Sequence, residues 1–496
     1  MNEQQPSESA TEDPAQSASD APESMRKKTI RGTVYSIVGQ GAKNVLRLGS
    51  NILLTHLLTA EDFGISTLVN TVIIGLEMIS DLGIETSIVQ HERGEDPDFL
   101  DTAFTVQFLR GLILFVLACI CAYPASIYWD SPALLSLLPV AAMGALVRGL
   151  WPTKLHLLRR NLEVRKLVFI NVGAQAVGVV VMAIHAYYYR SVWALILGSV
   201  AIFTTPMVVG HLMEGHRNRF RWDAAAAKEL VGFGKWIFVS TMITFAADKF
   251  SIFASGRLVD KATLGVFGVS TMLATLPLMV GGHATNSVIL PALSASARAD
   301  RATLARAFAR AQRVVLPILT FSALGLVLLS PAFFYLIYKP SSHDAGWMVQ
   351  IGMLGVWFFY LQDAWSRALL ALGISRPLAV ANGAKLVGTV VLALVGFELY
   401  AFPGLIGGAS LGAVFGYLAI IIALAQEGLH AWRLDLKYSV LALGLSVASV
   451  LLPKQLAPML GQSDWRPLSI ATSLLFLVPL AAFTFVRLKG QMRGSD

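Results

Sequence analysis

Between Ile30 and Gln90 the chain runs as two apolar segments joined by the turn Leu57-Leu58-Thr59-Ala60-Glu61-Asp62-Phe63-Gly64, with ionisable residues inside both. Each segment is long enough to cross a bilayer, for which about 20 apolar residues suffice. The first (30–57) carries Lys43 and Arg47 one helical turn apart. The second (63–90) carries Glu77, Asp81 and Glu85 at i, i+4 and i+8, one face of a continuous helix. A charge near the centre of an inserted helix costs roughly 2.5–3.5 kcal/mol, so such residues face a bundle interior and either pair or meet a substrate. The hairpin is therefore expected to line a central cavity whose walls the remaining chain builds. Lys43 and Glu77, placed at similar depth on adjacent helices, are a candidate pair.

The same pattern of long apolar runs fills the rest of the chain. Only 14% of residues are charged and 55% are hydrophobic, whereas soluble domains carry about 25% charged residues. Runs of this length exclude a β-barrel, whose strands alternate over about ten residues. The expected fold is an all-α integral membrane protein with about fourteen transmembrane helices. These lie near 30–57, 63–90, 102–124, 133–153, 167–187, 192–212, 231–256, 264–290, 314–338, 346–370, 377–400, 402–425, 437–455 and 467–487. The connections are too short to hold a folded catalytic domain. Residues 1–25, rich in Ser, Ala, Pro, Gln and acids, read as a disordered cytoplasmic tail with no secretory h-region.

Basic residues set the orientation. They crowd one set of loops: Arg26–Arg31, Arg93, Lys154–Lys166, Arg217–Lys228, Arg298–Arg313, Arg433–Lys437 and Arg487–Arg493. The other side shows Arg190, Arg257, Lys261, Lys339, Lys454 and Arg466. By the positive-inside rule both termini are cytoplasmic, and the net charge of +8 needs no nucleic-acid partner.

The chain also repeats. LLTAEDFG at Leu57–Gly64 aligns with LVDKATLG at Leu258–Gly265, and DFLDTAF at Asp98–Phe104 with ATLARAF at Ala302–Phe308. Gly173-Ala174-x-x-Val177-Gly178 aligns with Gly383-Ala384-x-x-Val387-Gly388. Three matches in one order argue for homologous six-helix lobes, 26–225 and 226–430, around a central cavity. Two additional helices and a short tail follow at 431–496.

No P-loop, H-E-x-x-H or G-x-S-x-G motif is present, so transport is the default reading and catalysis is not expected. Within the spans stand Lys43, Arg47, Arg110, Arg148, Lys235, Lys249 and Lys385, against Glu77, Asp81, Glu85, Asp248 and Asp363. Many of these charges could simply neutralise one another and hold helices in register. As a set they lean basic, which suits an anion such as a pyrophosphate that Arg grips bidentately. Lys43, Arg47, Arg110, Arg148, Lys249 and Lys385 are the candidate substrate-binding residues. Glu77, Asp81, Asp248 and Asp363 are candidates for pairing or for coupling to H⁺ or Na⁺.

Other features have an ordinary reading beside a functional one. His283 could relay protons or merely hydrogen-bond between helices. Gly32, Gly39, Gly41 and Gly49 permit either bending or close packing. Tyr187–Tyr189 with Trp193, and Phe333, Phe334, Tyr335 and Tyr338, could stack on sugars, although an interfacial aromatic belt is the commoner use. Residues 294–313 form a basic stripe that could hold an anionic headgroup or only obey the positive-inside rule. Cys119 and Cys121 lack the four ligands of a structural metal site and read as packed thiols. No cofactor or metal is expected.

The stretch LLTAEDFGISTLVNTVIIGLEMISDLGIETSIVQ resembles bacterial polysaccharide transporters, the Wzx-type flippases of the multidrug/oligosaccharidyl-lipid/polysaccharide exporter superfamily. LVGFGKWIFVSTMI, DKFSIFASGRLVDKATLGVFGVSTMLATLPL and ILPALSASARADRATLARAF extend the resemblance, which covers roughly residues 26–430. Ala60 stands where the family often has Pro. The resemblance implies a two-lobed, V-shaped transporter with a cationic cavity. It would move undecaprenyl-pyrophosphate-linked oligosaccharide to the periplasmic leaflet of the bacterial inner membrane, for exopolysaccharide, capsule or lipopolysaccharide biosynthesis. Basic residues of the first helix would hold the phosphate, the ground occupied here by Lys43 and Arg47. A polymerase and co-polymerase are the expected partners beyond the lipid-linked oligosaccharide and the bilayer. Alternatives are a cation-coupled drug exporter or peptidoglycan-precursor flippase of the same fold, and a membrane-embedded polysaccharide polymerase or ligase. The last would carry a large external loop, which is missing.

Overall fold

The structure, a computed structural model, describes residues 14–80, 84–224, 234–275, 301–430, 432–459 and 466–493, with isolated positions between them. Among these residues the chain is helical and forms no strand. That is the form an apolar chain must take where no water can satisfy its backbone. The helices are α1 (Pro14–Leu57), α2 (Ala60–Ile79), α3 (Ile84–Gln90), α4 (Pro97–Tyr128), α5 (Leu134–Gly149), α6 (Lys154–Arg160), α7 (Val164–Tyr189) and α8 (Trp193–Leu212). They continue as α9 (Gly234–Leu258), α10 (Lys261–Ala274), α11 (Arg301–Ile337), α12 (Ala345–Ala371), α13 (Arg376–Gln426), α14 (Trp432–Met459) and α15 (Arg466–Arg493).

Six of these are long and apolar enough to cross a membrane: α4, α7, α8, α11 from Ala302, α13 and α14. The pair α5 and α6, bent by 62°, makes a seventh if it is one span. This is a multi-pass membrane protein. The α5–α6 bend has a local cause. Gln107 of α4 donates its amide to the carbonyls of Arg148, Gly149 and Trp151 at 2.9, 3.3 and 3.1 Å, taking the acceptors that α5 frees at its end. α13 contains two of the expected spans. It breaks between them at Tyr400 and Ala401, where Ala401 adopts φ 51° two residues before Pro403.

Two expectations change, and a third is described only in part. The second span is not one helix: α2 ends at Ile79 and α3 begins at Ile84, so Glu77 and Glu85 lie on separate helices. The eighth span begins as α10, and most of it beyond Thr275 lies outside the described residues. α1 begins at Pro14, inside the stretch read as disordered, while residues 1–13 lie outside the described residues.

Helix starts follow from capping. The Thr59 hydroxyl accepts from the Asp62 N–H while the Asp62 carboxylate accepts from the Thr59 N–H, a capping box that opens α2. At α10 the roles are exchanged: the Asp260 carboxylate accepts from the Thr263 hydroxyl and N–H at 2.7 and 2.9 Å. Those two bonds hold the Asp260 carboxyl below the usual carboxylate range.

The helices pack in two groups. α1 lies on α7, α4 on α5, and α5 and α7 on α8; α9 lies on α13, and α12 on α10, α11 and α13. α2 joins them, touching α4 and α5 on one side and α9 and α10 on the other. α14 and α15 pack on α11. Asp435 of α14 is fully buried and accepts from Gln312 Nε2, Trp365 Nε1 and Tyr417 Oη at 2.8–2.9 Å, one donor each from α11, α12 and α13. Three neutral donors let a carboxylate stay buried with no cation beside it.

Candidate functional site

Two cavities flank the last turn of α2, and Met78 lines both. The first, about 330 Å³, opens among α2, α3, α4 and the α5–α6 bend. Its lining is polar: Glu77, Glu85, Gln107, Arg110, Arg148 and His156 among others. Arg148 Nη1 meets Glu77 Oε2 at 2.9 Å, and its guanidinium lies 5.5 and 5.8 Å from the ring centres of Phe203 and Trp151. Arg110 donates to Ser80 Oγ at 3.1 Å and to the Glu77 carbonyl at 3.0 Å, so it braces the end of α2 through its backbone. Glu85 pairs with Arg159.

Lys43 is not the partner of Glu77. On an ideal helix Glu77 lies about 26 Å along α2 from the turn and Lys43 about 21 Å back along α1, nearly one turn apart in depth. Arg148 reaches the carboxylate from α5. Lys43 instead lines a crevice of about 440 Å³ between α1 and α7, where Ser36, Gln40, Arg159 and Asn171 stand among mostly apolar walls. It makes no hydrogen bond or ion pair among the described residues. Arg47, one turn nearer the hairpin bend, has Nε and Nη2 buried with no hydrogen-bond partner.

The second cavity, about 320 Å³, lies among α9, α10, α12 and α13. Its walls are mostly apolar, including Ile252, Phe267, Met348, Val356, Phe359 and Ile406. Lys385 Nζ lies 2.5 Å from Asp248 Oδ1 and 4.4 Å from the centre of the Phe359 ring. Its side chain is 10% exposed, that of Asp248 38%. Lys249 lines the same cavity and makes no hydrogen bond or ion pair among the described residues. Adjacent residues on a helix point about 100° apart, so Asp248 can take Lys385 while Lys249 stays unpaired.

The candidates thus separate. Arg110, Arg148 and Glu77 meet at the first cavity, Asp248, Lys249 and Lys385 at the second, and Lys43 stands apart at the α1–α7 crevice. Asp363 lines neither cavity. It pairs along α12 with Arg367, at 2.8–3.2 Å. Asp81, His283 and the Lys235 side chain lie outside the described residues. Among the described residues no three His, Cys, Asp or Glu side chains cluster closely enough to hold a metal ion.

Sequence reasoning missed Asp435, whose neighbours Arg433 and Lys437 give it the look of a loop charge. It also misplaced one aromatic group. Tyr187–Tyr189 are exposed, as an aromatic belt would be, but Phe334 and Tyr338 are buried, and the Tyr338 hydroxyl donates to Asn51 Oδ1 at 2.8 Å. In the basic stripe, Leu304 and Phe308 are buried in the core while Arg306 and Arg310 face outward; residues 294–300 lie outside the described residues. Gly39 is a close-packing site, because a Cβ there would overlap the Val168 side chain, whereas Gly41 and Gly49 face open space.

Residues 53–340, more than half of the chain, match the family described as polysaccharide biosynthesis protein. Lipopolysaccharide biosynthesis protein WzxC of Escherichia coli strain K12 is 24% identical over 323 residues, a match spanning 64% of each chain, just under two thirds. Teichuronic acid biosynthesis protein TuaB of Bacillus subtilis strain 168 is 19% identical over 432 residues, 84% of this chain and 85% of that one. Among solved structures, the lipid II flippase MurJ in an inward closed conformation superposes with a TM-score of 0.67 at 14% identity, over 92% of this chain and 99% of MurJ. An inward-facing multidrug resistance MATE family transporter of the MOP superfamily gives 0.60 at 15% identity, over 78% and 95%. The fold is therefore the MurJ/MATE fold, and the chain belongs to the polysaccharide biosynthesis protein family.

Proposed function

We propose that this protein carries a lipid-linked oligosaccharide, of the undecaprenyl-pyrophosphate class, from the cytoplasmic to the periplasmic leaflet of the bacterial inner membrane by alternating access. The observation that carries the reading is a set of cations within the spans that meet no carboxylate among the described residues. Arg148 and Lys385 form ion pairs, while Lys43, Arg47 and Lys249 form none among the described residues. An unpaired buried cation is unfavourable, and a phosphate-bearing cargo would supply the missing negative charge. The names of the relatives, which concern lipopolysaccharide, teichuronic acid and lipid II, support a cargo of this type.

In this reading the chain makes about fourteen crossings, in lobes 26–225 and 226–430 followed by the extra helices of 431–496, with both termini cytoplasmic. It acts as a carrier and not as an enzyme. It uses no cofactor, couples to H⁺ or Na⁺ if at all through a cavity carboxylate, and hands its cargo to a polymerase and co-polymerase.

The test is export of the cell's own lipid-linked oligosaccharide by wild type, Lys43→Ala, Arg47→Ala and the control Arg257→Ala, at an exposed residue in the last turn of α9, at matched protein levels. Loss of one charge-assisted phosphate contact should lower export by about tenfold or more. Undecaprenyl-linked material should then accumulate on the cytoplasmic face, and Arg257→Ala should export normally. Full export by both α1 variants would return those charges to helix packing and sink the reading.

A further inference from the structure

The repeated turn motifs meet one another in space. A Cβ added at Gly64 would run into the carbonyl oxygen of Lys261, and one added at Gly265 would run into the carbonyl oxygen of Ala60. Gly64 and Gly265 are the eighth residues of LLTAEDFG and LVDKATLG; Ala60 and Lys261 are the fourth. Each motif thus supplies a carbonyl at position four to the bare backbone at position eight of the other. The caps are exchanged in the same sense, Thr59 with Asp62 in one and Asp260 with Thr263 in the other.

The contact continues along α2. A Cβ at Gly268 would lie 3.3 Å from Thr67 Cβ, and one at Gly75 would lie 2.6 Å from Cζ of Phe245, one turn short of Met78 and the two cavities. Hydrogen bonds flank the crossing: Lys261 Nζ donates to the Trp129 carbonyl at 2.5 Å, Trp129 Nε1 to the Phe253 carbonyl at 3.1 Å, and Tyr338 Oη to Asn51 Oδ1.

We infer that the two repeat motifs form a self-complementary latch, Gly64 on Lys261 and Gly265 on Ala60, that seals the face carrying the α1–α2 turn and must part before cargo leaves there. At the two motifs the closest approach is backbone to backbone through glycine, with no side chain between the helices, while Phe63, Leu68 and Phe267 pack in the core beside it. The reciprocity also makes a distinctive demand: enlarging either glycine should have the same effect. In the orientation proposed above this face is the periplasmic one, and the transport arm of the test rests on that reading.

The experiment uses the full-length protein with Cys119 and Cys121 replaced by alanine. Thr67→Cys with Gly268→Cys places two thiols at Cβ atoms near the separation of a disulfide. Diamide should cross-link the pair within one chain, abolish export, and release it again on reduction; each single cysteine should export. Failure to cross-link overturns the latch, and so does complete cross-linking that leaves both oligosaccharide export and the Met78→Cys labelling described next unchanged.

A second arm does not depend on the cargo. Met78→Cys reports access to the cavities by a membrane-impermeant maleimide added from the periplasmic side. Gly64→Leu and Gly265→Leu should each raise its labelling several-fold, and by similar factors, while Gly173→Leu, at a glycine with nothing within 4 Å, should not. A rise with only one of the two, or with neither, overturns the inference. Labelling that follows the latch while no variant affects oligosaccharide export would instead remove the cargo assignment and leave the latch standing.

Discussion

The cavities on the two sides of α2 handle buried charge by different chemistry. On the α4–α5 side the carboxylate Glu77 meets an arginine, the arginine is flanked by aromatic rings, and the neighbouring polar groups bond to one another. On the α9–α13 side a lysine spans the gap to Asp248 within mostly apolar walls, and a second lysine is left over. Arginine offers several donors in a fixed plane and can serve a carboxylate and an aromatic face together. Lysine is a point charge that can turn from one anion to another with little rearrangement. The first side is built to hold a shape, and the second keeps a charge to spare.

Breaking each pair should separate the two designs. Lys385→Met leaves Asp248 unpaired in apolar surroundings; because that carboxylate is partly solvated, the expected destabilisation is about 1–3 kcal/mol, below the full cost of an orphaned buried charge. The double variant Asp248→Asn/Lys385→Met should recover most of it in thermal unfolding of the detergent-solubilised protein. No recovery would mean that Lys385 matters for its packing on Phe359 and not for its charge.

Arg148→Ala should cost less, about 1 kcal/mol, since the Arg148–Glu77 pair is half-solvated. Adding Glu77→Gln should restore only part of this, because Arg110 grips Glu77 by its backbone carbonyl and the aromatic contacts of Arg148 are lost in any case. Complete restoration would make the two cavities alike and remove the contrast. Asp363→Ala sets the baseline: a pair along one helix and outside both cavities should contribute about 0.3–0.5 kcal/mol. A larger change at Asp363 would point to a role the cavities do not share.

Much of the frame could be read from residue order. Thr59 and Asp62 announce the start of α2, and the break at 401 falls between two expected spans. The LLTAEDFG and LVDKATLG motifs match in spacing, cap residue to cap residue and glycine to glycine. What could not be read was which helix stands opposite which. Consecutive helices make Lys43 a candidate partner for Glu77, yet the partner comes from α5. Phe334 and Tyr338 read as interfacial aromatics, but both are buried and Tyr338 bonds to Asn51 of α1. Asp435 gave no signal at all, since its three donors lie 18, 70 and 123 residues away.

The sequence by itself determined that this chain crosses a membrane as helices, that charges must face inward, and that two motifs repeat. Those follow from hydropathy, from the cost of charge in hydrocarbon and from local capping, all of which act within one helix. Packing between helices was needed to show that Glu77 belongs to Arg148, that Lys43, Arg47 and Lys249 form no ion pair among the described residues, and that the two motifs close on each other. Helical periodicity fixes the face a side chain occupies, but the neighbour across that face is chosen by how separate helices pack.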